Sequence, residues 1–324
     1  MSVAPAAVRV LDLEPAASDF LSEVLAGLSR SPRALPCKYF YDERGAELFQ
    51  KICQLPEYYI TRTETEILQK HGGEMAESIG ENAELVGFGT GAGVKTRMLL
   101  EQLKNPIAYV PVDISKQRLT TSAEALSAAM PGLEVLPVCA DYLQPLRLPT
   151  PRRQPDHIAV YFPGSTIGNF EPAEARHFLQ RVCRLCGRSG GLIIGVDLQK
   201  ARSILEAAYN DRAGITAEFN LNLLVRANRE LDADFDLSCW RHHAAYNEAA
   251  ARIEMHLISQ QDQTVHLGGE EFHFVRGESI VTEFSYKHTR EGFARLGESA
   301  GFRLANTWTD PHQLFGVFHF TVAD

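Results

Sequence analysis

Short apolar segments alternate with longer amphipathic segments between residues 67 and 198. Five apolar segments have the length of buried strands: AELVGF, IAYVPVDI, LEVLPVCADY, DHIAVYF and GLIIGVDL. Helical patterns separate them; the first ends near Ile79, and others cover 95–103, 115–129 and the residues after Glu171. Short apolar strands interleaved with amphipathic helices indicate a parallel α/β sheet.

The pattern changes after this region. Residues 201–231 carry apolar side chains three and four positions apart, which predicts a helical region. The segments RIEMHLIS, QTVHLG, EEFHFV and ESIVTEFSYK then predict an antiparallel meander, and the last residues predict a helix and two closing strands. The N-terminal residues lie outside the α/β pattern, so we expect them to pack with this insertion. The predicted domains are 67–198 with 289–324, and 1–66 with 199–288.

Composition narrows the class of protein. Acidic residues outnumber basic residues by 41 to 32 in the 324 residues, a formal net charge of −9. A nucleic-acid-binding protein needs a basic face to neutralise phosphates, so we expect no nucleic-acid partner. No apolar stretch has the length of a spanning helix, and Arg9, Asp12 and Glu14 interrupt the N-terminal segment. We therefore expect a cytoplasmic protein without a membrane partner; the sequence carries no signal for an oligomeric state.

Neither the cysteines nor the histidines form a metal-binding pattern. Cys183 and Cys186 make one C-x-x-C without a second pair, and they lie where an amphipathic helix is predicted to end at a glycine. Five histidines recur in and before the predicted meander: His242, His243, His256, His266 and His273. They lack cysteine or carboxylate partners at metal spacing, so we predict packed thiols, surface or core imidazoles, and no metal.

A glycine-rich loop follows the first predicted strand, in LVGFGTGAGVKTR. Gly89, Gly91 and Gly93 let the backbone approach a ligand, and the helix carrying Lys95 offers free N–H groups at its start. The segment matches neither a Walker A loop nor the full G-x-G-x-x-G of dinucleotide sites. It favours a nucleoside with a short charged tail, with a purely structural turn as the alternative.

Two acids follow the next predicted strands. Asp113 stands where a carboxylate accepts ribose hydroxyls, and Asp141 with Tyr142 stands where adenine would lie. Each acid alone is also compatible with a helix or loop cap. Because all three signals lie at carboxyl ends of strands, where open parallel sheets bind ligands, together they indicate an S-adenosylmethionine-dependent methyltransferase.

The loop YFPGSTIGNF, residues 161–170, offers backbone and an amide side chain to a substrate amine, although a generic loop has a similar composition. With other segments it resembles the histidine-specific Nα-methyltransferases, which make trimethylhistidine in ergothioneine biosynthesis. The segments that carry the resemblance, in order, are KYFYDERGAELF, LPEYYITRTE, VKTR, YVPVDIS, GSTIGNF, GVDL, LEAAYND, FNLNLL, RIEMHL and TEFSYK.

The resemblance implies a Rossmann-like methyltransferase domain and a second α+β domain, with L-histidine bound between them. Around the donor it places Gly89, Lys95, Asp113, Asp141 and Tyr142. Around histidine it places Tyr41, Tyr58 or Tyr59, Gly164, Asn169, Tyr209, Met255, Glu283 and Ser285. Among these, Asn169 and Tyr209 would hold the carboxylate and amine region, and Tyr41 would relay a proton from the amine. Tyr41 and Asn169 are thus the implied catalytic residues; a packed aromatic is the alternative for Tyr41.

Glu283 and Ser285 are two apart on a predicted strand, so their side chains leave the same face. A carboxylate accepts an imidazole N–H and a hydroxyl bonds the other ring nitrogen, although a solvated face is the plain alternative. The resemblance assigns this pair to the imidazole, with Met255 lining the pocket.

One position departs from the family pattern: Gly87 stands two residues before the first glycine, where the family usually has an acid. Two other functions therefore stay open. One is methylation of another small amino acid or amine, and the other is a donor-binding module that has lost catalysis.

Overall fold

The computed structural model describes residues 9–13, 20–89 and 93–323. The strands are β1 (Leu11–Asp12), β2 (Ala83–Phe88), β3 (Ala108–Asp113), β4 (Glu134–Val135), β5 (Val138–Cys139), β6 (His157–Phe162), β7 (Gly191–Asp197), β8 (Trp240–Asn247), β9 (Arg252–Ser259), β10 (Gln263–Leu267), β11 (Glu270–Phe274), β12 (Ser279–Tyr286), β13 (Phe302–Thr309) and β14 (Phe315–Val322). The helices are α1 (Phe20–Ser29), α2 (Glu43–Ile52), α3 (Tyr59–Ile79), α4 (Val94–Leu100), α5 (Lys116–Ala129), α6 (Pro172–Cys186), α7 (Arg202–Tyr209), α8 (Ile215–Leu231) and α9 (Arg290–Ser299).

A large, mostly parallel sheet confirms the predicted α/β class. Within the described residues its strand order is β1-β5-β3-β2-β6-β7-β14-β13, with β4 paired to β3. Every neighbouring pair from β1 to β7 is parallel, while β14 and β13 are antiparallel at the far edge. The carboxyl ends of β2, β3, β5, β6 and β7 therefore meet along one edge of the sheet.

Both faces of this sheet are covered, which explains why its central strands are mostly apolar. In β2, Leu85 packs into the core on one face and its neighbour Val86 into the core on the other. The second core includes Phe178 of α6 and Phe293 of α9, both fully buried. Two adjacent residues of one strand thus serve different cores.

Some predicted elements are shorter or divided. The strand predicted across LEVLPVCADY is two short strands, β4 and β5, separated at Pro137, which has no backbone N–H to donate. The helical region 201–231 is divided into α7 and α8. Asp211 causes the break because its carboxylate accepts the N–H groups of Ile215 and Thr216 at the start of α8.

The predicted meander is wrong in its connectivity. β8, β9 and β12 form a three-stranded antiparallel sheet, and β10 and β11 form a separate hairpin. β8, with the sequence WRHHAAYN, was absent from the prediction, because its histidine and alanine positions dilute the alternation between buried and exposed residues.

The N-terminal segment packs with the insertion, as expected, except at β1. Asp42, just before α2, accepts hydrogen bonds from Asn222 and Arg229 of α8, at 2.8 and 2.7 Å. β1 instead pairs in parallel with β5 at the edge of the large sheet, which corrects the expectation that residues 1–66 lie wholly outside it. The proposed boundary between residues 66 and 67 falls inside the continuous helix α3, and the division into domains stays a prediction. No helix of the described ranges is long and apolar enough to cross a membrane.

Candidate active site

The glycine loop after β2 opens at the ligand-binding edge of the large sheet. Gly89 has φ +54°, and a Cβ there would lie 3.7 Å from Cε1 of Tyr142. Gly93 has φ +74° and precedes α4. Both glycines occupy left-handed backbone that favours this residue type. Gly91 lies outside the described residues.

Asp113 is the last residue of β3, and Asp141 lies two residues after the neighbouring parallel strand β5, so both stand at the same edge of the sheet. An oxygen of Asp113 accepts the N–H of Ser115 at 2.8 Å, and an oxygen of Asp141 accepts the N–H of Leu143 at 2.8 Å. Burial raises the pKa of Asp113 above its ordinary value, against the hydrogen bond from Ser115. The loop cap predicted as the alternative for Asp141 is therefore formed. The helix cap predicted as the alternative for Asp113 is not, because Ser115 occupies the N-cap position of α5 and Asp113 bonds the N–H of Ser115, which precedes the helix.

Tyr142 follows Asp141 directly and packs its ring against other aromatic side chains. Its ring stacks on Phe88 with centroids 5.4 Å apart and an interplanar angle of 18°. Phe162 meets the same ring edge-on at 5.6 Å. The end of β2, the end of β6 and residue 142 thus share one aromatic cluster next to Gly89.

Lys95 lies at the start of α4 and forms an ion pair with the buried carboxylate of Glu64 on α3. The same carboxylate accepts the N–H of Gly164, at 3.0 and 3.1 Å to its two oxygens. Gly195 of β7 has no side chain at this point, and a Cβ there would overlap an oxygen of Glu64. Glu64 therefore joins the glycine-loop side of the edge to the loop after β6.

The loop after β6 is pressed against β12. Its short 3-10 turn, Thr166–Asn169, contains Gly168, where a Cβ would lie 2.8 Å from the carbonyl oxygen of Tyr286 and 3.6 Å from Oγ of Ser285. Asn169 follows, and its side-chain nitrogen lies 4.0 Å from Sγ of Cys37. Because Gly168 has no side chain, the loop that carries Asn169 can approach β12 this closely.

Glu283 and Ser285 on β12 do share a face, on which Ser285 is buried and Glu283 is partly exposed. Met255 of β9 lies directly opposite Glu283 and is buried. Burial raises the pKa of Glu283 to about 7, although the nearby Lys287 ammonium opposes this shift. The solvated-face alternative for the pair does not hold.

Aromatic side chains surround the same space. Tyr41 meets Phe49 edge-on at 5.5 Å, and Tyr58 meets Phe49 at 6.3 Å and Tyr209 at 6.4 Å. Burial, with the charge of Glu283 as a further cause, raises the pKa values of Tyr41 and Tyr58 well above the ordinary tyrosine value. Both rings therefore keep their hydroxyl hydrogens at neutral pH and lie within electrostatic reach of Glu283.

Tyr59 is placed differently from its neighbour. Its hydroxyl donates to the buried carboxylate of Asp197 at 2.8 Å and accepts from Lys200 at 2.7 Å. The two neighbouring tyrosines are therefore placed differently. Tyr58 packs against Phe49 and Tyr209, whereas the hydroxyl of Tyr59 bonds Asp197 and Lys200.

Comparison with known proteins decides the family. A family model described as histidine-specific methyltransferase, SAM-dependent, matches residues 20–322. The chain belongs to this family. It is 39% identical over 313 residues to a histidine N-alpha-methyltransferase of Mycolicibacterium smegmatis, covering 95% of this chain and 96% of that one. A protein of the same description from Mycobacterium tuberculosis is 38% identical, covering 91% and 92%. A more distant relative, 4-dimethylallyltryptophan N-methyltransferase of Aspergillus fumigatus, is 27% identical, covering 94% and 93%.

As a member of the family, the enzyme uses S-adenosylmethionine as its methyl donor. The residues at the sheet edge fit such a molecule. Gly89 leaves a gap beside Tyr142 that a side chain would fill, two carboxylates stand at the ends of β3 and β5, and Lys95 lies beyond the glycine loop. The amino-acid tail of the donor carries an ammonium and a carboxylate, which suit the adjacent Glu64 carboxylate and Lys95 ammonium. Glu64 thus offers a carboxylate to the tail, although Gly87 stands where the family usually has an acid.

The structure of this methyltransferase brings the predicted residues into two adjoining groups. The residues predicted for the donor lie along the large sheet, and those predicted for histidine lie on or beside α2, α3, α7, β9, β12 and the loop after β6. Five further residues of this region were absent from the predicted site: Cys37, Glu64, Asp197, Lys200 and Lys287. Three of them stand inside segments that carried the resemblance, namely LPEYYITRTE, GVDL and TEFSYK. Their burial together follows only from the tertiary fold.

Proposed function

We propose that the protein transfers methyl groups from S-adenosylmethionine to the α-amine of L-histidine and produces trimethylhistidine, a step of ergothioneine biosynthesis. One observation carries the choice of acceptor: Glu283 and Ser285 leave the same face of β12, and Ser285 lies against the loop that carries Asn169. Membership of the family and the 39% identical histidine N-alpha-methyltransferase support it.

Bound S-adenosylmethionine supplies an electrophilic methyl group on a sulfonium, so the acceptor amine must be neutral and held in line with it. The donor residues proposed for its adenosyl part are Asp113, Asp141 and Tyr142, with Gly89 and Lys95 along its length. Their place at the carboxyl ends of parallel strands is the usual ligand edge of an open α/β sheet.

Asn169 and Tyr209 are proposed to hold the carboxylate and amine end of histidine, with Gly164 and Tyr58 beside the amine. The N–H of Gly164 already donates to Glu64, so this glycine contributes space and loop shape. Asn169 keeps its amide for the substrate apart from a long contact with Cys37. These positions support an acceptor held against the loop after β6.

A free α-amine is mostly protonated at neutral pH, so a proton must leave before transfer. Because burial raises the pKa of Tyr41, its hydroxyl takes part as a hydrogen-bonding relay and not as a phenolate base. The faces of Tyr41 and Tyr58 also suit a product cation, since cation–π attraction contributes roughly 1–2 kcal/mol.

The deciding experiment incubates the protein and S-adenosylmethionine with a panel of amino acids and reads the products by mass spectrometry. We expect singly, doubly and triply methylated histidine, and little product from phenylalanine or tryptophan. In Glu283→Ala the preference for histidine should shrink, while Glu270→Ala, which removes an exposed carboxylate of β11, should leave it unchanged.

Two results point to the other functions. Preferred methylation of a different amine would replace the acceptor, a result to which the relative acting on dimethylallyltryptophan gives some weight. Donor binding without turnover of any amine would indicate a module that has lost catalysis.

The six cysteines are all free thiols, which supports our placing the reaction in the reducing cytoplasm.

A further inference from the structure

Lys287 is a fully buried lysine directly behind the proposed imidazole pocket. Its Nζ lies 2.8 Å from Oδ2 of Asp197, 2.8 Å from Oγ of Ser285 and 3.1 Å from the hydroxyl of Tyr209. The two hydroxyls also contact each other at 2.9 Å. An ammonium group has three N–H donors, so all three are directed at these oxygens.

This arrangement fixes the two hydroxyls that we propose contact the substrate. Each of their oxygens is held from the buried side by an N–H of Lys287. Two hydroxyl hydrogens remain; one makes the Tyr209–Ser285 bond, and the other is left for a ligand. A buried hydroxyl held at two points is preorganised, so it need not be immobilised when a ligand binds.

Lys200 provides an internal comparison. It also donates to Asp197, at 2.6 Å, and to Tyr59, but the bonds formed by its ammonium do not include Ser285 or Tyr209 among the residues described. Both lysines therefore compensate the same buried carboxylate. Only Lys287 joins that carboxylate to the acceptor pocket.

We propose that Lys287 is a positioning residue of the acceptor pocket, which holds Ser285 and Tyr209 and thereby sets the preference for an acceptor ring that carries nitrogen. The inference rests on the proposed function, because it assumes that Ser285 reads the imidazole. Lys287 acts through these hydroxyls and does not itself contact the substrate. Its loss should weaken recognition of the ring more than recognition of the amino-acid end alone.

The test measures selectivity, since a merely structural lysine would weaken all acceptors alike. We compare L-histidine with β-(2-thienyl)-L-alanine, which has a five-membered ring of similar size without nitrogen. Dissociation constants for both are measured by calorimetry with S-adenosylhomocysteine present, in wild type, Lys287→Met, Ser285→Ala and the double variant. Lys200→Met is the matched control, and affinity for S-adenosylhomocysteine alone reports an intact fold.

We expect Lys287→Met to lower the preference for histidine by about tenfold or more, the scale of one lost polar contact. In the Ser285→Ala background the same change should leave the preference within about threefold, because the hydroxyl it positions is gone. Lys200→Met should keep the wild-type preference. Lys287→Met leaves Asp197 paired with Lys200, so no buried charge is left without a partner. If Lys287→Met does not fold, Lys287→Leu keeps the same ion pair, and the same result is expected of it.

An unchanged preference in the folded lysine variant overturns the proposal, as does an equal loss with and without Ser285, or a matching loss in Lys200→Met. A wild-type protein that does not methylate histidine contradicts the proposed function before any variant is compared. The two failures are therefore distinguishable.

Discussion

At the scale of single residues, Glu283 is a largely buried carboxyl group that we propose binds the imidazole of the substrate. Its neighbours include Met255 and the ammonium of Lys287, and burial raises its pKa to about 7. The ionised carboxylate accepts an imidazole N–H, whereas the neutral acid accepts less well and carries a hydrogen of its own. On the proposed function, the charge state of this one group would therefore be coupled to recognition of the imidazole.

We expect kcat/KM for histidine to rise as the pH increases through about 7, because the carboxylate form of Glu283 becomes populated there. Glu283→Gln should lower kcat/KM and remove this rise, while any increase at higher pH from the substrate amine persists. The measurement is a pH profile of kcat/KM for both proteins. An inflection near 7 that survives in Glu283→Gln would assign it to another group.

Asp113 should matter for the donor. In Asp113→Ala the ribose hydroxyls lose their acceptor, and one unpaired buried polar group costs about 1–3 kcal/mol, so donor affinity should fall about tenfold to a hundredfold. Calorimetry with S-adenosylmethionine measures this, with the exposed Glu124→Ala of α5 as control. Unchanged affinity in a folded Asp113→Ala removes this residue from the donor site.

Asn169 should matter for the acceptor alone. Asn169→Ala is expected to depress turnover of histidine by about tenfold or more while donor affinity stays near wild type, because the residue lies on the loop after β6. Steady-state kinetics and donor calorimetry on one preparation separate the two effects. Wild-type kinetics for histidine would show that the GSTIGNF loop is only structural.

At the scale of elements, Asp42 joins two helices of the acceptor region. Its carboxylate caps α2 by accepting the N–H of Gly45 at 2.8 Å, and Asn222 and Arg229 of α8 donate to it as well. Burial alone would raise the pKa of Asp42, but the bonds from Arg229, Gly45 and Asn222 hold it below its ordinary value.

Asp42→Ala should lower the free energy of unfolding by about 1–3 kcal/mol. A carboxyl with a lowered folded-state pKa contributes stability above its unfolded pKa and loses it as the pH falls below about 4. The deficit of Asp42→Ala should therefore shrink below that pH. Denaturant unfolding of both proteins at several values from about pH 3 to about pH 7 measures this deficit. Asp42→Asn, which keeps a capping oxygen, should lose less and vary less with pH.

The sequence predicts elements well where one physical pattern dominates. β2 and β7 are mostly apolar and buried throughout because helices cover both faces of the sheet, and their bounds match the predicted strands closely. β8 was missed because WRHHAAYN has weak alternation, and the meander was wrong because strand pairing depends on contacts distant in sequence. The same limit applies to Lys287 and Asp197. Both residues can be read in the sequence, but their burial against each other depends on how the fold brings the ends of β7 and β12 together.

At the scale of the whole molecule, Glu64 connects regions that the sequence keeps far apart. It extends from α3 to Lys95 of α4 and to Gly164 of the loop after β6. The helix after the glycine loop and the loop after β6 therefore share one buried carboxylate. Breaking a buried ion pair leaves an uncompensated charge and is more costly than loss of a surface pair.

Glu64→Ala should lower the free energy of unfolding by up to about 3–5 kcal/mol and weaken donor binding, since Lys95 and Gly164 both lose their partner. Glu64→Gln keeps an acceptor for the Gly164 N–H and should lose less stability. The exposed Glu66→Ala, two residues along α3, is the control. Chemical denaturation and donor calorimetry test this, and a Glu64→Ala protein equal to that control in both would contradict the linking role.

On the proposed function, separate sheets would bind the acceptor ring and the methyl donor: Met255, Glu283 and Ser285 belong to the β8–β9–β12 sheet, and the residues proposed for the donor lie along the large one. In evolutionary terms this separates two kinds of mutation. Substitutions on β9 and β12 would then retune the accepted amine while the residues proposed for the donor, on the large sheet, stay unchanged.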